Sequence, residues 1–144
     1  LNGGSLSLSP GTYTLEGIGL QVNSGTIAGT GVTLYLAQGS AQFNGANSVD
    51  LVAPTTGTYA GILFYQSSTD ANPATINGGA SAKFQGALYF PDSLVQLNGS
   101  NTAAYTIVVS KSVQTNGSSF NIGSDYSSLP GGSPVKSTTG ILVE

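Results

Sequence analysis

The chain has no cysteine, histidine, methionine, tryptophan or arginine. Without Cys there are no disulfides and no thiol chemistry. Without His the commonest general base is missing, and with Cys also gone the usual zinc ligands are absent. Charge is nearly absent too. Only 6% of the 144 residues are charged and the net charge is −3, against ~25% charged residues in an average globular domain. Lys83, Lys111 and Lys136 are the only cations, too few for a basic stripe, which argues against a nucleic-acid partner. No apolar run approaches the ~18 residues of a membrane span. No signal-peptide pattern and no initiating Met are present, so the chain reads as a mature or excised segment. It does not read as disordered, because 39% of it is hydrophobic and aromatics are spread throughout.

What the chain has in abundance is a short tag built on Asn-Gly. It reads Gln42-Phe43-Asn44-Gly45, Thr75-Ile76-Asn77-Gly78, Gln96-Leu97-Asn98-Gly99 and Gln114-Thr115-Asn116-Gly117, with relatives at Leu1-Asn2-Gly3 and Gln21-Val22-Asn23-Ser24. The intervals from Asn2 through Asn23, Asn44, Asn77 and Asn98 to Asn116 are 21, 21, 33, 21 and 18 residues. A near-constant period of this size is the mark of stacked repeats. Between the tags lie runs of four or five β-branched and aromatic residues, such as Val32-Thr33-Leu34-Tyr35-Leu36 and Tyr105-Thr106-Ile107-Val108-Val109, bounded by Gly, Pro, Asn and Ser. No stretch carries helical apolar spacing. The expected fold is therefore all-β: a single-domain parallel β-helix (β-solenoid), right-handed, of about six coils of 18–21 residues. The coils fill 1–123, and 124–144 form a C-terminal loop and terminal strand.

In-register stacking accounts for the missing charge. A charged residue repeated in each coil would face its own copy ~4.8 Å away, and like charges directly opposite destabilise. Two roles follow for Asn2, Asn23, Asn44, Asn77, Asn98 and Asn116. Asn tolerates the left-handed conformation, so Asn-Gly makes a corner; stacked amides also form a ladder from coil to coil. The competing reading, hairpin turns in an antiparallel sandwich, suits one Asn-Gly better than four on a period. The ladder also explains Asn98-Gly99-Ser100 and Asn116-Gly117-Ser118 better than the glycosylation sequon does.

Counting from the tag gives further expectations. Asp50 and Lys83 are each the seventh residue of their repeats and should form an inter-coil ion pair. The apolar phase slips by one residue after the second coil, which calls for a bulge or reset turn. The twelve extra residues of the long interval are placed at 66–73, a loop standing off the body where binding residues tend to sit. The acids Glu16, Asp50, Asp70, Asp92, Asp125 and Glu144 fall at unrelated repeat positions, so no glycosidase-like pair and no calcium spacing is marked. The chain reads as no enzyme, with no cofactor and no metal site. Thr12 and Thr33 share a position, but Ala87 interrupts the row an ice-binding face would need. Tyr13, Tyr35, Tyr59, Tyr65, Tyr89, Tyr105 and Tyr126 could offer sugar-stacking rings, although most sit in apolar runs that suit packing.

Three segments carry a family resemblance: Gly31 to Leu36 (GVTLYL), Leu51 to Gln66 (LVAPTTGTYAGILFYQ) and Ile76 to Pro91 (INGGASAKFQGALYFP). With the Leu-Asn-Gly-Ser that follows, they resemble the C-terminal region of TadG-like proteins, which are associated with Flp (tight-adherence) pilus assembly in bacteria. The resemblance covers most of 1–125. It implies an extracellular, non-enzymatic structural or adhesive role at the bacterial cell surface, and no catalytic residues. The leading expectation is a surface or pilus module that stacks end to end on its own copies, or on a pilus component, with Ile141, Leu142 and Val143 as the assembly strand. The alternative is a monomeric module binding surface polysaccharide through 66–73 and nearby Tyr. An enzyme acting on polysaccharide and an ice-binding protein stand behind these.

Overall fold

A computed structural model describes residues 1–45, 48–79, 82–116 and 120–134. Among them there is no helix. The strands are β1 (Asn2–Leu8), β2 (Gly11–Leu15), β3 (Gly19–Val22), β4 (Ser24–Thr30), β5 (Val32–Leu36), β6 (Ser40–Phe43), β7 (Ser48–Val52), β8 (Ile62–Gln66), β9 (Ala74–Gly78), β10 (Lys83–Gly99) and β11 (Thr106–Thr115). They pair in parallel along three faces. The first face runs β1, β4, β7 and the start of β10. The second runs β2, β5, β8, the middle of β10 and the first half of β11. The third runs β3, β6, β9, the end of β10 and the second half of β11. The chain is a β-solenoid of about five turns. Six tags mark the boundaries of five coils rather than six. Further along the chain Ser124 bridges antiparallel to Tyr105.

Alternation along each strand sends one column of side chains inward and the next outward. Val22, Phe43, Ile76 and Leu97 are register partners on the third face and all are fully buried. Leu34, Phe64 and Leu88 form the matching column on the second. Phe43 sits edge-on to Phe64 and to Phe84, with ring centroids 6.0 and 5.1 Å apart, so aromatic packing ties the three faces together. The first corner of the fourth turn has no room for a side chain. Gly86 has φ +145°, and a Cβ there would lie 2.7 Å from Leu63 Cβ and 2.8 Å from Ala53 Cβ.

The twelve extra residues of the third coil are not one loop at 66–73. Thr30 and Leu34 are four apart, while their partners Val52 and Phe64 are twelve apart; eight residues therefore enter at 53–61. Leu36 and Phe43 are seven apart, their partners Gln66 and Ile76 ten; three enter at 67–73. The last enters between Asn44 and Val49, which is five residues where Asn23 to Ile27 is four. That is the one-residue phase slip; 46–47, where it is absorbed, lie outside the described residues. The larger insertion follows from Pro54. Ala53 N–H still donates to Gln85 O at 2.8 Å, but Pro54 has no N–H to continue the ladder, and Gly61 N–H closes the loop base on Pro54 O at 2.6 Å.

The first face ends at β10, and a side chain takes the place of the next strand. Asn101, 4% exposed, accepts from Phe84 N–H at 2.9 Å through Oδ1 and donates to Thr106 Oγ1 at 2.7 Å and to Asn121 O at 3.0 Å. Thr106 Oγ1 donates to Phe84 O at 2.9 Å. Both backbone groups of Phe84 are thus satisfied by side chains. The segment after β11 then docks beside them, with Thr106 N–H on Gly123 O and Asp125 N–H on Ala104 O, and the rings of Tyr105 and Tyr126 5.5 Å apart. Asp125 is exposed, and hydrogen bonds from Ser127 hold its carboxyl below the usual range.

Asn101→Ala should leave a buried N–H unpaired and lower stability by about 1–3 kcal/mol, measured by urea unfolding; a loss under ~0.5 kcal/mol would contradict this role. A second expectation concerns alkaline pH. Burial, and then the neighbouring Tyr126, push the Tyr105 phenol above its ordinary value. A raised folded pKa favours the neutral phenol, so its contribution is complete below about pH 10 and is lost as pH rises through the folded value. Tyr105→Phe should make stability less dependent on pH above about 10, measured by urea unfolding across the alkaline range.

Candidate functional site

Four features of the surface follow from the stacking. The first is the amide ladder at the third corner. Asn23 Nδ2 donates to Asn2 Oδ1 at 2.8 Å, Asn44 Nδ2 to Asn23 Oδ1 at 2.9 Å, and Asn98 Nδ2 to Asn77 Oδ1 at 2.7 Å. The ladder is therefore two runs, interrupted between Asn44 and Asn77 where the extra residue enters. Asn116 does not extend it: its Oδ1 accepts from Gln114 Nε2 at 3.3 Å, and Asn98 Oδ1 is left buried without a partner. The corner mechanism also differs from expectation. Among the described residues no non-glycine has a positive φ, and it is Gly3 and Gly99 that do. The Asn residues contribute amides, and among the described residues a left-handed glycine follows at Gly3 and Gly99, whereas Gly45 keeps an ordinary φ and Asn23 is followed by Ser24.

Beside the ladder runs a second polar column that the repeat arithmetic had not singled out. Gln21, Gln42, Thr75, Gln96 and Gln114 are register partners on the outer side of the third face. Thr75 Oγ1 donates to Gln96 Oε1 and Gln96 Nε2 to Gln114 Oε1, both at 3.1 Å. Its signal was present in the tag itself, where Gln stands two residues before Asn. On the first face Lys83 and Asp50 are register partners, with Nζ to Oδ1 at 3.4 Å. Their side chains are 36% and 58% exposed, so the pair is worth roughly 0–1 kcal/mol and weakens with salt.

The second feature is the pair of open ends. Among the described residues β11 pairs only with β10 and β1 only with β4. Inward-facing columns surface there. Leu6 is 37% exposed while its partner Ile27 is fully buried, and Val113 is 50% exposed while its partner Val95 is fully buried. Ile141, Leu142 and Val143, expected to form an assembly strand, lie outside the described residues.

The third feature is a tyrosine ridge on the second face. Tyr35, Tyr65 and Tyr89 are register partners on three successive coils. Ring centroids are 5.6 Å apart for Tyr35 and Tyr65 and 5.2 Å for Tyr65 and Tyr89, the latter nearly parallel. Tyr59, from the 53–61 loop, packs on Tyr65 at 5.9 Å. All four are half-buried. The ridge adjoins an open cleft of about 330 Å³ between that loop and the strands at Gly11, Thr12 and Gly31, with Thr56, Thr58 and Tyr59 on the loop side. Tyr13 instead faces inward and donates to Ser9 O.

The fourth is the 67–73 loop, which is anchored by Asp70 while Ser68, Thr69, Ala71, Asn72 and Pro73 are exposed. Gln66 is fully buried and Asp70 is 5% exposed. Gln66 Nε2 donates to Asn72 O at 2.8 Å, Ser93 Oγ donates to Gln66 Oε1 at 2.6 Å, and Asn72 donates through both nitrogens to Asp70 Oδ1. The acids are dispersed: Asp50 on the first face, Asp70 inside its loop, Glu16 exposed after β2, Asp92 exposed within β10 where its register shifts, and Asp125 on the segment after β11. Among the described residues no three of them converge. Thr12 and Thr33 are register partners, but Thr33 is buried and its hydroxyl donates to Ile62 O at 2.8 Å, so no exposed threonine row exists there. Comparison with protein-family models, curated proteins and solved structures returned no match.

Asn23 makes two ladder bonds, one on each side. Asn23→Ala should cost about 1–2 kcal/mol, and Asn116→Ala, outside the ladder, under ~0.5 kcal/mol, in parallel thermal unfolding; equal losses would assign the ladder no special stabilising role.

Proposed function

We propose that this chain is a structural and adhesive module of a bacterial surface or pilus system, non-catalytic, extracellular, and built to continue its stack onto a further solenoid turn. The observation that carries this reading is the exposed Val113 above the fully buried Val95. An inward column that surfaces at a strand edge is matched by one more coil of the same kind, which would bury the side chain and pair the edge backbone in one step. Parallel stacking preserves strand direction, so the contact is head-to-tail and does not close on itself, the geometry that makes fibres. The amide ladder has the same polarity, each coil donating to the one before it. The resemblance to TadG-like proteins supports the cellular setting. The partner turn comes from a second copy or from a pilus component.

Electron microscopy across a concentration series tests the reading. Thin fibres are expected, with a repeat of about 24 Å per copy plus the junction, from five turns at ~4.8 Å. Val113→Asp should abolish them, because a carboxylate would be buried in the junction, while leaving unfolding unchanged. Compact single particles at every concentration would overturn self-assembly.

A further inference from the structure

We propose that the cleft beneath the 53–61 loop, with the adjoining Tyr35–Tyr65–Tyr89 ridge, is a binding site for a neutral polysaccharide. Three observations converge on it.

The first is the chemistry of the lining. The cleft presents the hydroxyls of Thr12, Thr56 and Thr58, glycine backbone at Gly11 and Gly31, and one aromatic wall, Tyr59. A sugar ring offers two complementary surfaces. Its hydroxyls pair with small hydroxyl and backbone groups, and its slightly positive C–H face packs on the negative face of an aromatic ring. A few convergent polar groups beside an aromatic wall is the usual make-up of a small-molecule site. Because Tyr65 and Tyr89 lie nearly face to face, the ridge turns ring edges and hydroxyls outward, and the ring wall at the cleft is that of Tyr59. Among the described residues the hydroxyls of Tyr35, Tyr59, Tyr65 and Tyr89 have no protein partner, whereas Tyr13 uses its own on Ser9.

The second is neutrality. No strand segment on the second face carries a charged residue, from Gly11–Leu15 through Val32–Leu36, Ile62–Gln66 and the Gly86–Phe90 stretch to the Thr106–Ser110 stretch. An acidic polymer would find no cation there and would meet a protein of net charge −3. A protein partner is less well served, because the large apolar side chains exposed among the described residues, Leu6, Ile18, Val113 and Ile122, all lie off this surface.

The third is periodicity. The ridge repeats a phenol at 5.6 and 5.2 Å, the scale of a single sugar unit, so a linear chain lying along the solenoid axis meets one tyrosine per coil. The cleft holds the end or a branch of that chain. The site differs from the 66–73 loop at which the sequence suggested sugar binding, because 53–61 is the insertion that borders the cleft.

The site serves a monomer as well as a fibre, so its test is independent of assembly. The protein has no tryptophan, and four of its seven tyrosines lie at the site, so tyrosine emission is sensitive to occupancy there. Purified chain below its assembly concentration is titrated with cellohexaose, chitohexaose and dextran, and with alginate and polygalacturonate. The expected result is a saturable change with at least one neutral probe and none with the acidic ones. Tyr59→Ala should weaken that binding about tenfold, the scale of one aromatic contact, and Thr12→Gln should weaken it by filling the cleft. Both variants should remain folded at the titration temperature, Tyr59→Ala with a small loss of stability from its contact with Tyr65, and Gln21→Ala on the third face should bind as the parent does. No saturable binding to any neutral probe, binding only to the acidic polymers, or binding undiminished in both Tyr59→Ala and Thr12→Gln would overturn the proposal.

Discussion

Every described coil of this protein lies in parallel register on the next, so most residues face the residue at the same repeat position one turn away. This constraint governs the rest. Positions that repeat must tolerate their own copies at strand spacing. Aliphatic and aromatic residues do so inside, where Val22, Phe43, Ile76 and Leu97 form one column. Amides do so outside, because each carries both donor and acceptor and can pass a hydrogen bond along the stack. Carboxylates and ammonium groups do not, and the described chain brings its opposite charges together at Asp50 and Lys83, on adjacent rungs.

The departures from the constraint are as informative as the regular coils. The third coil takes in extra chain at three places. Each addition is placed where the inward columns survive it, so Leu34 still meets Phe64 and Phe43 still meets Ile76. The largest, at 53–61, starts at a proline that ends backbone pairing, and borders the cleft beside the tyrosine ridge. At the end of the first face, where no further strand lies against β10 among the described residues, Asn101 and Thr106 supply a donor and an acceptor from side chains. On the second and third faces, beyond the Thr106 N–H on Gly123 O, β11 has no such substitute among the described residues. That asymmetry is the physical basis for the proposal that the stack continues.

The two proposals place assembly and recognition on different parts of one body. Continuation would use the ends, where strand edges left unpaired among the described residues coincide with surfaced core residues. Sugar recognition would use the flank of the second face, where the repetition that builds the core sets Tyr35, Tyr65 and Tyr89 on three successive coils. A stacked fibre would extend such a flank, and multivalent contact along it would raise apparent affinity without any new chemistry.

The sequence by itself determined the class of fold, the coil length and the identity of the repeating amide corner. These are properties of periodicity, and a period of twenty-one residues with strand-like runs and Asn at a fixed place leaves few ways to bury the apolar positions. It also placed Asp50 and Lys83 at the same repeat position, because counting from a tag is equivalent to reading register wherever coils have equal length. Only the tertiary structure decided what happens where the count is broken. Two turn-rich stretches, 53–61 and 66–73, look alike in composition. Pro54 ends backbone pairing at the first, while the buried Gln66 and Asp70 anchor the second, a difference made by side-chain partners up to 27 residues away at Ser93. The same holds for the corner conformation, which no asparagine carries by a left-handed backbone among the described residues, and for the tyrosines, whose apolar runs suited packing but whose meeting with Tyr59 required the 53–61 loop. Local pattern fixes which way a side chain points from its strand; which neighbours it finds depends on how much chain each coil takes to come round, and that is settled only when the coils close.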